Sequence, residues 1–383
     1  MSRVLVAMSG GVDSSVAAHL LQSSGYECIG VTMRLCDEPR IADAIRGSGF
    51  EPVPVERDAR EVAERLGIQH HVVDMGEKFA ECVVGPFVDS YLAGRTPNPC
   101  VDCNKALKFG ALLDLADELG CDYISTGHYA QIRWVPGGVG DSSRTSSQYA
   151  AESSRNPSQQ GGRFILSRAA HVEKDQSYML YHLTQEQLSR VLLPLGSLSK
   201  DEVRAIALDL GFSNANKHDS QDLCFVPDGD YASFIERYSK VSGEPGDILD
   251  TGGNVVGRHS GIWRYTIGQR KGLGLSMGRP VYVCDKNAES NTLTVGPRES
   301  LLTTGCEVGN WNWIMPCPDT PVRAMVKTYY RQKPIAATVI PNSDGSVVVE
   351  YSEPGPKAVP GQSAVAYVGD DVLGGGVVQR AIS

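Results

Sequence analysis

Two short segments of this 383-residue chain carry residue types whose spacing suits chemistry. The first is Ser9-Gly10-Gly11-Val12-Asp13-Ser14, which follows the apolar run Val4 to Met8 and opens the helical pattern Ser14 to Gln22. Adjacent glycines let backbone N–H groups close on an anion, and a helix start adds partial positive charge. The Ser9 and Ser14 hydroxyls can donate to phosphate oxygens, and Asp13 can help place a Mg2+. The bland alternative is a glycine turn with a helix cap. The second segment is Thr96-Pro97-Asn98-Pro99-Cys100-Val101-Asp102-Cys103-Asn104-Lys105, where prolines stiffen the approach to a Cys-x-x-Cys pair and Lys105 and Lys108 bring positive charge. A helix starting here is expected to ease ionisation of a thiol. Taken alone, the pair fits a metal site, a redox pair or buried thiols. One further cysteine, Cys224, lies in the polar run Asp219-Ser220-Gln221-Asp222-Leu223-Cys224-Phe225.

Positioning these segments takes an ordered scaffold, and the first half of the chain supplies the pattern for one. Strands are expected at Val4 to Met8, Cys28 to Met33, His71 to Asp74 and Tyr123 to Thr126. They alternate with helices at Ser14 to Gln22, Arg57 to Leu66 and Phe109 to Leu119. That alternation predicts a doubly wound, mainly parallel α/β sheet. Helices follow at Gln185 to Leu192 and at Lys200 to Leu210, the latter capped by Ser199. Pro136 to Gly162 is rich in Gly, Ser, Asn and Gln and is expected to form a mobile surface loop. After about Asp247 short β-branched runs alternate with turn signals, which predicts an antiparallel β region of one or two small barrels. The expected division is 1–199, 200–298 and 299–383: an α/β domain, then two small, mostly β domains, the last a β-barrel.

Composition narrows the function classes. Hydrophobic residues make up 41% and charged residues 21%, ordinary globular usage that excludes disorder, collagen and coiled coil. No apolar run reaches the ~18 residues of a membrane span, and the apolar start is too short for a signal peptide, so a cytoplasmic protein is expected. Ten cysteines are too few for a disulfide scaffold of this length. The net charge of −9 sits almost wholly in residues 1–130, which carry −8. Two stretches further on hold no acid: Gly257 to Val283, with Arg258, Arg264, Arg270, Lys271 and Arg279, and Pro321 to Pro334, with Arg323, Lys327, Arg331 and Lys333. Such stretches can bind phosphates whatever the total charge, or else be solvated strand faces.

The glycine loop lacks the Gly-Lys-Ser/Thr of a Walker-A site and matches the Ser-Gly-Gly-x-Asp-Ser pyrophosphate loop of the ATP-pyrophosphatase family. Five more motifs follow it in order: Arg95-Thr96-Pro97-Asn98-Pro99 running on to Cys103-Asn104-Lys105, Thr126-Gly127-His128-Tyr129, Lys174-Asp175-Gln176-Ser177-Tyr178, the Cys224 segment, and Tyr265-Thr266-Ile267-Gly268-Gln269-Arg270-Lys271-Gly272-Leu273-Gly274. Together they resemble the tRNA-specific 2-thiouridylase family from residue 4 to about 370. The loop alone would also suit an ATP-pyrophosphatase ligase with another acceptor, such as an ammonia-using enzyme resembling GMP synthetase.

The resemblance implies ATP-dependent 2-thiolation of a wobble uridine, with ATP and Mg2+ bound and AMP and pyrophosphate released. ATP would lie against Ala7, Met8, Ser9, Gly10, Gly11, Val12, Asp13, Ser14, Met33 and Gly127. Cys103 and Cys224 would be catalytic, Cys224 as a persulfide and the two left as a disulfide, with the 218–226 loop returning to the first domain. Asn98, Pro99 and Cys100 would meet the target base. His128, Lys174, Asp175, Gln176, Tyr329, Tyr330 and Gln362 would meet the tRNA, expected to be one for Glu, Gln or Lys. A cysteine desulfurase or sulfur-relay protein would donate sulfur, with no membrane involved. Cys100 stands where many family members have Asp, and Tyr329 where they have Arg. The first departure leaves an alternative, a 4Fe–4S cluster on Cys100, Cys103 and Cys224 with one open iron. The remaining seven cysteines, Cys36 among them, are expected to be structural.

Overall fold

A computed structural model describes residues 1–51, 56–136, 161–217 and 222–383. Strands β1 (Arg3–Ala7), β2 (Glu27–Arg34), β3 (Gln69–Asp74) and β4 (Tyr123–Ser125) are followed by a hairpin of β5 (Gln131–Val135) and β6 (Arg163–Ser167), then by β7 (Val191–Leu192). All but the hairpin form one parallel sheet in the order β3-β2-β1-β4-β7. Val4, Leu5 and Val6 of the central strand are wholly buried, as a parallel strand covered on both faces requires. On one face the helices Val12–Ser23, Glu56–Leu66 and Lys200–Asp209 share a core through Val16, Val62, Val203 and Phe212. On the other lie Phe109, Leu112 and Ala116 with Tyr178 and Tyr181. The Lys200–Asp209 helix therefore packs with the first sheet.

Two helices depart from the sequence expectation for physical reasons. The one expected from Phe109 starts at Pro99, with proline at its first position, and passes through a π-helical stretch, Asn104–Ala111, into Leu112–Glu118. Over a π stretch the 3.6-residue apolar period slips, so only the last turns read as a helix in the sequence. The helix expected to reach Leu192 spans Gln185–Ser189, because Val191 and Leu192 pair with Ile124 and Ser125 as β7. The Lys200–Asp209 helix begins as expected, on a capping box: the Glu202 amide donates to Ser199 Oγ at 3.2 Å and the Ser199 amide to Glu202 Oε2 at 2.7 Å. A cap of this kind is worth about 1 kcal/mol, and here it fixes where Lys200 points.

The middle segment holds β8 (Gly246–Leu249), β9 (Val255–His259), β10 (Tyr282–Asn287) and β11 (Thr292–Gly296) in the order β10-β11-β8-β9. Its β8–β11 pairing is parallel, an exception within the expected antiparallel region. Val283, Leu293 and Val295 of this sheet share a core with Phe79, Phe87, Cys103 and Phe225. The last six strands are β12 (Leu302–Trp313), β13 (Val322–Lys327), β14 (Ile335–Pro341), β15 (Val347–Pro356), β16 (Ser363–Val368) and β17 (Asp371–Ile382). They run β12-β15-β14-β13-β16-β17, and β17 pairs back with β12 to close the expected barrel. The β5–β6 hairpin joins this barrel through Asp371 beside Ser167, and Arg133 and Ser167 both bond the Asp371 carboxylate. The hairpin brackets the segment expected to be a loop at 136–162, most of which lies outside the described residues. Among those residues no helix is long and apolar enough to cross a membrane.

Candidate active site

The Ser9–Ser14 segment turns from β1 into the helix at Val12, at the carboxyl edge of the parallel sheet where α/β folds bind ligands. Gly10 has φ +71°, a left-handed conformation suited to glycine. Gly11 caps the helix and no side chain bonds its first amides, which leaves that end open to an anion. The loop is braced from within: Ser14 Oγ accepts the Ser9 amide at 3.2 Å and donates to the Gly11 carbonyl at 3.1 Å. Asn214 braces it from behind, donating to the Gly10 carbonyl at 3.2 Å and to Ser15 Oγ at 2.9 Å. Gly127, just beyond β4, backs onto this turn so closely that a Cβ would lie 2.8 Å from the Ser14 nitrogen. Met8 is buried and Met33 half-buried, Met33 lying at the carboxyl end of β2.

Asp13 is not an isolated carboxylate. Lys200, itself buried, donates to both of its oxygens at 2.8 and 2.9 Å, and the Tyr129 hydroxyl donates to Oδ1 at 2.7 Å. Asp13 is a hard oxygen donor suited to Mg2+, and Lys200 and Tyr129 hold its carboxylate in place. The Lys200 ammonium beside the loop is suited to a phosphate. Neither Lys200 nor Asn214 stood out in the sequence, although the Ser199-Lys200-Asp201-Glu202 cap pattern marks the Lys200 position.

The two cysteine segments converge. Cys103 is buried in the core shared with Phe225, and Leu223 and Cys36 pack against the same core. Cys36 Sγ donates to the Cys224 carbonyl at 3.9 Å, and the two thiols lie near enough to shift each other's ionisation. Cys100, Cys103 and Cys224 feel one another's charge, and Lys108 is a cation common to all three. Cys100 and Cys224 are exposed, whereas Cys36 is half-buried. All ten cysteines are free thiols. Asp219, Ser220 and Gln221 lie outside the described residues.

The expected easing of ionisation is reversed. Burial pushes the Cys103 thiol up to about 12, with Lys108 pulling weakly the other way. Cys103 is the fifth residue of its helix, beyond the first turn where the dipole acts, and loss of water outweighs one cation. Burial also raises Cys100. The neighbouring Cys36 thiol and then burial raise Cys224, while the Cys224 thiol lowers Cys36. Lys108→Met should therefore raise all three thiols further and reduce the thiolate fraction at any given pH. The single-turnover sulfur-transfer profile should move to higher pH, with about a tenfold loss at neutral pH for each unit moved.

Among the described residues no three His, Cys, Asp or Glu side chains are arranged to hold a metal ion. The alternative cluster ligands Cys100, Cys103 and Cys224 thus do not form such a set: Cys103 is sunk in the core, and the Cys224 backbone is held by Cys36.

The residues expected to meet tRNA fall into two kinds. Asp175 and Gln176 are engaged within the protein. Asp175 Oδ1 accepts the amides of Ala169 and Ser177, each at 3.1 Å, and Gln176 exchanges bonds of 2.9 and 2.8 Å with the Tyr129 backbone. Met179, just beyond, accepts from Asn104 at its carbonyl (3.1 Å) and from Asn98 at its sulfur (3.6 Å). Tyr178 donates to the Ser363 carbonyl at 2.7 Å, and Tyr330 to the Asp175 carbonyl at 3.2 Å. The 174–179 segment thus ties the Asp13 partner Tyr129, the Cys103 helix and the barrel together. Gln362 reaches from the barrel to the Thr96 and Pro97 carbonyls at 3.0 and 3.1 Å, bracing the approach to Pro99 and Cys100. Tyr329 is exposed and Lys174 half-exposed, both accessible to a partner. Arg270 and Arg279 line an open groove of about 680 Å3 with Gly272 and Gly274, whereas Arg258 and Arg264 pair with Asp247 and Glu236.

His128 is buried, its Nδ1 2.7 Å from Thr126 Oγ1, and burial then Lys108 hold its pKa well down. His182, also buried, has no well-formed hydrogen bond at either ring nitrogen. Burial lowers it to about 4, against weak upward pulls from nearby carbonyls. A neutral buried histidine stabilises the fold fully above its unfolded value of about 6.5, and that stability is lost as pH falls toward 4. The loss amounts to about 3 kcal/mol for His182. His182→Leu should flatten the decline of melting temperature between pH 6.5 and 4; an unchanged slope would contradict this assignment.

Known proteins match over the same span. The tRNA methyl transferase HUP domain family matches residues 2–228, the tRNA methyl transferase PRC-barrel domain 232–297, and the aminomethyltransferase beta-barrel domain 303–378. The tRNA-specific 2-thiouridylase MnmA of Clostridioides difficile is 41% identical over 381 residues, 99% of either chain. That of Geotalea uraniireducens is 43% identical over 384 residues, 100% of this chain and 96% of its own. A solved 4-thiouridine synthetase–RNA complex with bound ATP aligns at TM-score 0.36 and 14% identity, over 62% of this chain and 50% of that one, a partial likeness only. Two domain descriptions mention methyl transfer, but both of these relatives, which align from end to end, are thiouridylases. With that identity sustained along its whole length, this chain belongs to the tRNA-specific 2-thiouridylase family.

Proposed function

We propose that the Ser9–Ser14 loop, Cys103 and Cys224 carry out one reaction, the 2-thiolation of a wobble uridine in tRNA. ATP-dependent tRNA 2-thiolation is the activity of this sulfurtransferase family, with ATP and Mg2+ bound by the first domain. The observation that carries the residue assignment is a chain of contacts: Gly127 backs onto Asp13 and Ser14, its neighbour His128 packs its ring 5.7 Å from that of Phe109 on the helix that carries Cys103, and Cys103 shares a core with Leu223 and with Cys36, which bonds the Cys224 carbonyl.

A uridine C2 oxygen is a poor leaving group. In the proposed reaction it attacks the α-phosphate of ATP, pyrophosphate departs, and the oxygen becomes part of an adenylate. The loop amides and hydroxyls bind the phosphates, with Lys200 beside them. Mg2+, held by Asp13, would neutralise charge on the departing pyrophosphate. The outer sulfur of a Cys224 persulfide then attacks C2 and AMP leaves with the original oxygen. Cys103 attacks Cys224 Sγ, breaking its bond to the outer sulfur; 2-thiouridine is freed and a Cys103–Cys224 disulfide remains for an external thiol to reduce. Releasing hydrosulfide first would give the same products. Asn98, Pro99 and Cys100 would hold the base, and Lys174, Tyr329, Tyr330 and the Arg270–Arg279 groove the tRNA, with His128, Asp175, Gln176 and Gln362 supporting these contacts. The substrates would be tRNAs for Glu, Gln and Lys, and the sulfur source a cysteine desulfurase or relay protein. A reducing cytoplasm suits ten free thiols.

The test is reconstitution. Protein, MgATP, an unmodified tRNA for Glu and a persulfide donor should yield 2-thiouridine on digestion, with one AMP formed for each. AMP without a sulfur-containing nucleoside would point to another acceptor and overturn the reading.

A further inference from the structure

We propose that Cys36 is the thiol through which sulfur enters the site, receiving it from an external persulfide and passing it to Cys224. The proposal rests on the reading that Cys224 carries the transferred sulfur. Cys36 follows β2 by two residues, at the same carboxyl rim as the nucleotide loop. It is half-buried, its thiol bonds the Cys224 carbonyl at 3.9 Å, and it is near enough to the Cys224 and Cys103 thiols to be shifted by them. The thiols thus form a sequence that runs from Cys36 through Cys224 to the buried Cys103. Thiols in contact can exchange an outer sulfur without moving the backbone.

The chemistry balances without an oxidant. The Cys36 thiolate attacks the outer sulfur of a donor persulfide, forming Cys36–S–SH and releasing the donor as a thiolate. Cys224, giving its proton to solvent, attacks that same outer sulfur; the new S–S bond forms as the Cys36 bond breaks, and Cys36 returns to a thiolate. The sulfur keeps its oxidation state throughout. Acidity supports this direction: of the pair, Cys36 is lowered and Cys224 raised. A thiol held lower supplies more thiolate for the first attack and is the better leaving group in the second. Asp37 and Cys103 oppose ionisation of Cys36 without reversing its shift.

The test uses the full-length reduced protein and glutathione persulfide, with alkylation at timed intervals and peptide mass spectrometry to locate the added sulfur. In the wild type the label should appear on Cys36 first and decay as Cys224 fills. In Cys224→Ser it should remain on Cys36. In Cys36→Ser and Cys36→Ala, shown by melting to be folded, Cys224 should load about tenfold more slowly. An unlabelled Cys36 in Cys224→Ser, or wild-type loading of Cys224 in both Cys36 variants, would overturn the proposal alone, provided Cys224→Ser had lost thiolation. Wild-type thiolation by Cys224→Ser would overturn the underlying reading and this proposal together.

Discussion

Cys224→Ser and Cys103→Ser should each reduce 2-thiouridine formation by about a thousandfold or more, a loss typical of removing a covalent nucleophile. The two failures should differ in kind. Without Cys224 there is no carrier, and tRNA should build up as the adenylate or be hydrolysed to AMP. Without Cys103 the carrier still attacks C2, so a protein–tRNA adduct joined through two sulfurs should accumulate and dissolve in dithiothreitol. If hydrosulfide release comes first, the persulfide should instead stay on Cys224. Cys103 is 9% exposed, and an unpartnered hydroxyl there costs about 1–3 kcal/mol, so Cys103→Ala serves as a second variant. A non-reducing gel with labelled tRNA separates these outcomes, and wild-type turnover by either serine variant would contradict the assignment.

Gly127→Ala should weaken ATP binding by about a hundredfold and lower the melting temperature. The added carbon would lie 2.8 Å from the Ser14 nitrogen, 2.9 Å from the Asp13 carbonyl carbon and 3.0 Å from Asp13 Cβ. These are the first turn of the phosphate-binding helix, not flexible side-chain ends, so β4 and that helix must separate. Overpacking of this kind costs about 1–3 kcal/mol in stability, and a displaced amide no longer meets its phosphate. Calorimetric titration with MgATP measures the affinity. Unchanged affinity would mean that Gly127 does not set the position of the loop.

Features set by local sequence were the legible ones. The Ser9–Ser14 loop was readable because its six residues state both a turn and a helix start, and β1 and β2 because their buried runs are continuous. Burial and distant contacts were not legible. Lysines near Cys103 suggested a reactive thiol, but nothing in the sequence states that Phe87, Phe225 and Val283 share its core. The contact between Cys36 and Cys224 was hidden because the two lie 188 residues apart. The internal bonds of Asp175 and Gln176 were not legible either, because a polar side chain held by the protein and one left free are the same letters; the Ala169, Ser177 and Tyr129 bonds appear only in the fold. The β5–β6 hairpin reads as two ordinary strands, while its attachment to the barrel at Asp371 depends on a strand 200 residues on.

The most direct measurement follows a labelled sulfur against the nucleotide. Protein loaded with 35S as a persulfide on Cys224, freed of donor, is mixed with tRNA and [α-32P]ATP in a single turnover. The label should leave the protein and appear in 2-thiouridine only when ATP is present, with one AMP formed per sulfur transferred and a Cys103–Cys224 disulfide left behind. Transfer of sulfur to tRNA without ATP, or AMP release with the label still on the protein, would contradict the coupling on which the mechanism depends.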